Sequence, residues 1–290
     1  MTPESAIQQA LNGISFGALL FILAAGLSLI FGMMDVVNLA HGGFYMLGAY
    51  VALTVVQRTG SFWPALLIAP LVVGLLGVII EPLLLRRLRG RHLDQVLLTI
   101  GVSLVIADLI GLFWGREIRS LPMPAGLDHS VSIAGGDYPV YRLFVIAFGI
   151  ALAVVFSVIH RRTRLGAMIR AGVDDAPMLA ALGVDIDRVF AITFGVGAAL
   201  AALAGVVAAP VFGVFPGMDV DALIYSLIVV VVGGLGTLSG AVAGAGLIGP
   251  ADTFGKVLFP QFALALIFAL LAFVLLLRPT GLLGRVRIAR

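Results

Sequence analysis

In the run VVNLAHGGFYMLGAYVALTVV (36–56), helical spacing of about 100° per residue sets Asn38, His41, Tyr45, Gly48 and Ala52 on one face. An amide, an imidazole and a phenol in so apolar a run are costly against hydrocarbon. They read either as the lining of a path for a polar solute or as groups near the cytoplasmic mouth bonded to neighbouring backbone. No second histidine or carboxylate stands three or four positions from His41, so a metal site is not expected. Asn12, Ser15, Glu81, Thr99, Ser103 and Asp108 are further polar residues in or near apolar runs.

Two other stretches invite chemistry. VVVVGGLGTLSGAVAGAGLIG (229–249) is glycine-rich but lacks the Gly-Lys-Ser/Thr that ends a phosphate-binding loop. Gly236, Gly240 and Gly244 stand four apart, the small-residue spacing of close helix packing in membranes, so no ATP is expected on this segment. HRRTRLGAMIRAGVDDAPMLAALGVDIDR (160–188) carries Asp174, Asp175 and Pro177 as helix-start signals and Gly183 as a stop. The predicted helix spans 175–182, with Met178, Leu179 and Leu182 on one face. A helix of about two turns is unstable alone in water and must dock. It is either an amphipathic connector or a coupling helix that inserts into a cytoplasmic partner. Enzyme signatures such as HExxH and GxSxG are absent, no carboxylate pair stands at helical spacing within one span, and the chain has no cysteine.

The elements that must position these residues are membrane helices. Hydrophobic residues make up 61% of the 290 and charged residues 11%, and the mean hydropathy is +1.16. A water-soluble fold could not bury that much apolar surface, which excludes disulfide scaffolds, disordered chains and free-standing nucleic-acid binders. Apolar runs near 7–31, 36–56, 62–85, 95–115, 142–159, 189–213 and 262–277 are each long enough to cross a bilayer core of ~30 Å. The stretch 222–259, broken by Gly233, Gly234, Gly236, Gly240 and Pro250, adds one or two more and brings the expected count to eight or nine. The fold class is an all-α polytopic bundle, read as a single transmembrane domain over 1–290.

Arginines cluster at 86–91, at 161–188 and at 278–290, and the three segments hold 13 of the 18 basic residues. The positive-inside rule makes their shared side cytoplasmic, with the C-terminus there and the N-terminus outside. Residues 116–141 then form an extracytoplasmic loop or short hairpin, and 160–188 a structured cytoplasmic loop.

Five motifs in order resemble the permease subunits of branched-chain amino acid ABC importers: GMMDVVNLAHGGFYMLGAY (32–50), VLLTIGVSLVI (96–106), RLGAMIRAGVDDAPMLAALGVD (164–185), VVGGLGTLSGAVAGAGLIG (231–249) and RPTGLLG (278–284). The compact length is similar to the H-type subunit. The resemblance implies a type II-like importer fold in a prokaryotic inner membrane. It also implies a second related permease subunit, two cytoplasmic ATPase subunits that bind the ATP, and an extracytoplasmic solute-binding protein. No cofactor is then expected in this chain. On this analogy Arg164, Gly166, Arg170, Asp175, Leu179, Leu182 and Gly183 belong to the ATPase contact. The family also handles urea, short amides and other amino acids. The alternative from another class is a secondary transporter or channel driven by an ion gradient, disfavoured by the docking loop and by the scarcity of membrane acids.

Overall fold

The computed structural model describes residues 3–133 and 135–284. Among the described residues there are ten α-helices, all but α6 following the apolar runs: α1 (Pro3–Met34), α2 (His41–Thr59), α3 (Ala65–Ile80), α4 (His92–Trp114), α5 (Val140–Arg162), α6 (Arg164–Ala181, within the arginine-rich loop), α7 (Ile186–Phe212), α8 (Met218–Gly233), α9 (Leu238–Leu258) and α10 (Ala263–Leu277). Helices satisfy their own backbone polar groups, which is what a chain this apolar requires inside a bilayer. A π-helical turn, Glu81–Leu85, prolongs α3. Two short strands, β1 (Ser130–Ile133) and β2 (Gly136–Pro139), pair antiparallel with Ser130 opposite Pro139, so that of the loop or short hairpin expected within 116–141 the hairpin is the form taken.

Helices α1 and α7 form the centre. Both are rich in Gly and Ala, so neighbouring backbones come close. A Cβ at Gly17 would lie 2.8 Å from the Ala245 carbonyl of α9, and one at Gly77 would lie 2.9 Å from the Ala198 side chain of α7. Without a hydrophobic drive between helices in lipid, such close van der Waals packing is the main cohesive term. Ile22, Ala24, Ile30, Phe44, Phe194 and Val207 are fully or almost fully buried there. Helices α3, α4, α5 and α10 turn long apolar side chains outward, among them Leu71, Leu112, Val154 and Leu276.

Among the described residues, six helices are long and apolar enough to span a membrane, or up to seven if the bent pair α8–α9 counts as one. The expectation of eight or nine is not reached by that measure. With 16 residues α8 is too short, and glycines and polar residues lower the hydropathy of α2 and α9. The glycine stripe also needs correction. Gly236 is not on a helix with Gly240 and Gly244: it lies in the turn between α8 and α9, which meet at 114°. Its φ of +73° is left-handed, a conformation glycine adopts without strain, and a Cβ there would sit 2.8 Å from Cα of Gly32 in α1. Gly240 and Gly244 do pack closely, both against the end of α8 at Gly233.

The arginine-rich segments gather at one end of the bundle. Arg86 and Arg89 both bind the carboxylate of Asp187 at the start of α7. Arg89 also donates to Glu81 at 2.5 Å and lies over the Phe190 ring at 4.4 Å. The segment after α10 returns to the same end, where Leu282 N–H donates to the Val232 carbonyl at 2.8 Å. Arg285, Arg287 and Arg290 lie outside the described residues.

Candidate translocation path and coupling surface

Helix α1 ends at Met34, and Asp35, with a φ of +54°, reverses the chain. Residues 35–40 then run without helical structure, and α2 begins only at His41. Asn38 is therefore not on the α2 face with His41, as the uninterrupted apolar run suggests, but in the segment that precedes it. That segment climbs back into the bundle. The His41 Nε2 donates to the Leu23 carbonyl at 2.8 Å, 11 positions before the end of α1, or about 16 Å along a helix. His41 is thus deep in the bundle, not at its mouth.

The non-helical segment needs hydrogen-bond partners that a helix would supply itself. Leu39 N–H donates to the Thr99 hydroxyl of α4 at 3.2 Å, and Ala40 N–H donates to the Asn38 Oδ1 at 3.1 Å. Thr99 and Asn38 thus serve the backbone, a role the polar pattern alone did not reveal. Yet Asn38 Nδ2 and His41 Nδ1 are buried with no hydrogen-bond partner among the described residues. Gln95 Oε1 on α4 and Thr193 Oγ1 on α7 are in the same condition. An unmet buried polar group costs ~1–3 kcal/mol, so the unmet atoms of Asn38 and His41, three residues apart in the chain, mark a spot suited to water or a polar solute.

The remaining predicted path residues differ in their surroundings. Tyr45 is half-buried, and its carbonyl lies where a Cβ on Gly205 of α7 would be. Gly48 is buried with its missing Cβ directed at the backbone of Ala202, so it brings α2 against α7 and does not line a path. The face shared by His41, Tyr45 and Gly48 points into the subunit. Gly42 packs in turn on the Asp219 carbonyl, which places the first turn of α8 against the first turn of α2.

The 160–188 loop is longer in helix than the sequence suggests. Thr163, extended at φ −108° and ψ 157°, caps α6 by accepting from Gly166 N–H at 3.1 Å. Gly166 is buried where any side chain would strike the carbonyls of Ile159 and His160, which lets α6 fold back on α5. Asp175 breaks the helix at φ −158° and ψ 91°, and its Oδ1 accepts from Met178 N–H at 2.9 Å. A new short helix begins there and stops at Gly183, whose φ is +84°, matching the start and stop signals.

The expected common apolar face divides, however. Leu179 is 7% exposed and turns inward, whereas Met178 and Leu182 are 58% and 72% exposed. The inward side of α6 docks through Ile169 on Met33 of α1 and Val189 of α7. Arg164 is exposed, and Arg170 is half-buried with Nη1 unpartnered among the described residues. A cavity of about 180 Å³ lies behind α6, lined among others by Ser28, Ile169, Thr193 and Gly236. It separates α6 from α1 and α7 over part of their length.

An ion-pair cluster joins α8, α9 and α1. Lys256 donates to Asp252 at 2.7 Å, Tyr225 donates to the same carboxylate at 2.7 Å, and Lys256 sits 5.4 Å from the Phe16 ring centre. The four-residue spacing of Asp252 and Lys256 was its only linear signal.

The chain is 32% identical to the high-affinity branched-chain amino acid transport system permease protein BraD of Pseudomonas aeruginosa, over 96% of each chain. It is 30% identical to the corresponding permease protein LivH of Escherichia coli K12, again over 96% of each. The LivM permease protein of Salmonella typhimurium is 28% identical over 92% of this chain and 68% of LivM. No solved structure matches. The family model described as branched-chain amino acid transport system / permease component matches residues 9–276, and the chain belongs to that family.

Proposed function

We propose that this chain is the membrane-spanning permease subunit of an ATP-driven importer, forming the path for branched-chain or related amino acids handed over by a solute-binding protein. It works beside a second related permease and two cytoplasmic ATPase subunits in a prokaryotic inner membrane. The arginine-rich end, with the C-terminus, is cytoplasmic, and the hairpin end meets the solute-binding protein. ATP stays on the partner subunits.

One observation carries the reading: α6 presents Met178 and Leu182 outward from a helix braced on the two central helices. An exposed apolar knob at the charged end of a bundle suits a protein contact, and its bracing gives a push on α6 a direct route to α1 and α7. The division of the face sharpens the test. Leu182→Asp leaves the intrachain packing alone and puts a charge into the contact. The expected outcome is loss of copurifying ATPase subunits or of solute-stimulated hydrolysis, with permease abundance unchanged. Leu179→Asp instead buries a charge inside the chain and should lower abundance by destabilising α6. Wild-type transport by Leu182→Asp would reduce the segment to a connector.

A further inference from the structure

Three of the outward faces of the bundle suit lipid. No charged residue occurs in α3 between Ala65 and Ile80, in α5 between 143 and 159, or in α10. The fourth, on α4, differs. Gly101, Leu104, Asp108 and Leu112 are spaced by three, four and four residues on one exposed face of this helix. Asp108 stands six residues before the end of α4 at Trp114, about 9 Å along the helix, and the charged residues Arg116, Glu117 and Arg119 that mark the end of the span come only after it. The carboxylate therefore lies below the headgroups. Among the described residues its side chain has no hydrogen-bond or ion-pair partner. Arg116 folds back beside Gly111, with Nε 3.6 Å from where a Cβ of Gly111 would be, yet forms no ion pair with it. A membrane acid left against acyl chains is unfavourable, and such groups face protein or water. Gly101 agrees. Glycine weakens a helix interior, and here a Cβ would meet nothing within 4 Å, so no contact inside the chain requires it. Open space above a small residue admits another helix at close range.

We propose that this face of α4 is the contact with the second permease subunit, which supplies a cation or hydrogen-bond donor to Asp108. The inference rests on the reading that the chain works beside a related permease. Charge argues against a second copy of this chain. A two-fold contact through α4 would bring Asp108 toward its own mate, like charge against like, and the uncharged outward stretches of α3, α5 and α10 offer no cation.

The absence of cysteine makes the test direct. Leu104→Cys and Leu112→Cys, each carrying a photoreactive maleimide, are compared with Val154→Cys on α5 in membranes holding the assembled transporter. The α4 positions should give an adduct between this chain and a second permease of different mass, at roughly tenfold the yield from Val154→Cys. Asp108→Leu should cut recovery of that permease about fivefold, while Asp108→Asn, still able to hydrogen-bond, retains most of it. Adducts with lipid alone from Leu104→Cys, an adduct of two copies of this chain, or full recovery with Asp108→Leu would each overturn the assignment. The cross-linking arm does not touch Asp108, so poor folding of Asp108→Leu cannot mask the answer. If wild-type protein brings down a second permease while α4 fails to cross-link to it, only the face is wrong. If no second permease accompanies the wild type, the assembly reading itself fails.

Discussion

Asn38 and His41 are fully buried, deep in the bundle, each with one polar atom bonded within the chain and one unmet. This half-satisfied state separates them from ordinary buried polar groups, which find partners for nearly all their capacity. Removing them has opposed effects. Loss of Asn38 Oδ1 frees the Ala40 N–H it holds, a cost of ~1–3 kcal/mol, while loss of the unmet atoms relieves a similar burden. The double variant Asn38→Leu, His41→Leu is therefore expected to insert at near-normal abundance and to transport several-fold more slowly. Uptake per inserted molecule, with abundance measured by immunoblot, decides the matter. Unchanged uptake would leave both residues a packing role only.

Among elements, the clasp of Glu81, Arg86, Arg89 and Asp187 ties the end of α3 and the approach to α4 onto the start of α7. Glu81 is fully buried, and Arg89 is its cation. Removing one partner of a buried pair costs ~3–5 kcal/mol, because the charge left behind has no water. Arg89→Met should lower the thermal midpoint of the purified protein markedly. Glu81→Gln combined with Arg89→Met should recover part of the loss, since no buried carboxylate then remains. Equal midpoints for the single and double variants would show that Arg89 acts through Asp187 or through its stacking on Phe190 instead. The same clasp makes Arg89 and Asp187 poor sites for topology probes, because substituting either disrupts the joint it reports on.

At the scale of the molecule, the hairpin and the arginine clasp lie at opposite ends. The hairpin packs on the start of α1, where Gly136 meets Gln8, and the clasp lies by the start of α7. Ser130 is exposed on the hairpin, and Arg161 is exposed at the end of α5. With no native cysteine, Ser130→Cys should react with an impermeant maleimide in intact cells, and Arg161→Cys only after permeabilisation. The reverse pattern would invert the proposed orientation.

The linear order of apolar runs and arginines by itself determined the all-helical bundle, the approximate place of most helices, a loop or hairpin within 116–141 and the start and stop of the short helix at Asp175 and Gly183. Those features follow from local hydropathy and capping, which act within a few residues. The tertiary structure alone decided which side of each element is inside. Asn38 left the helix because 35–40 folds back into the bundle on the Thr99 hydroxyl, a group 60 positions away. Gly48 became a packing residue because α7 lies against it, and Leu179 turned inward because α6 rests on Met33 and Val189. Helical periodicity can say that residues share a face, but in a chain apolar on nearly every side it cannot say what that face meets.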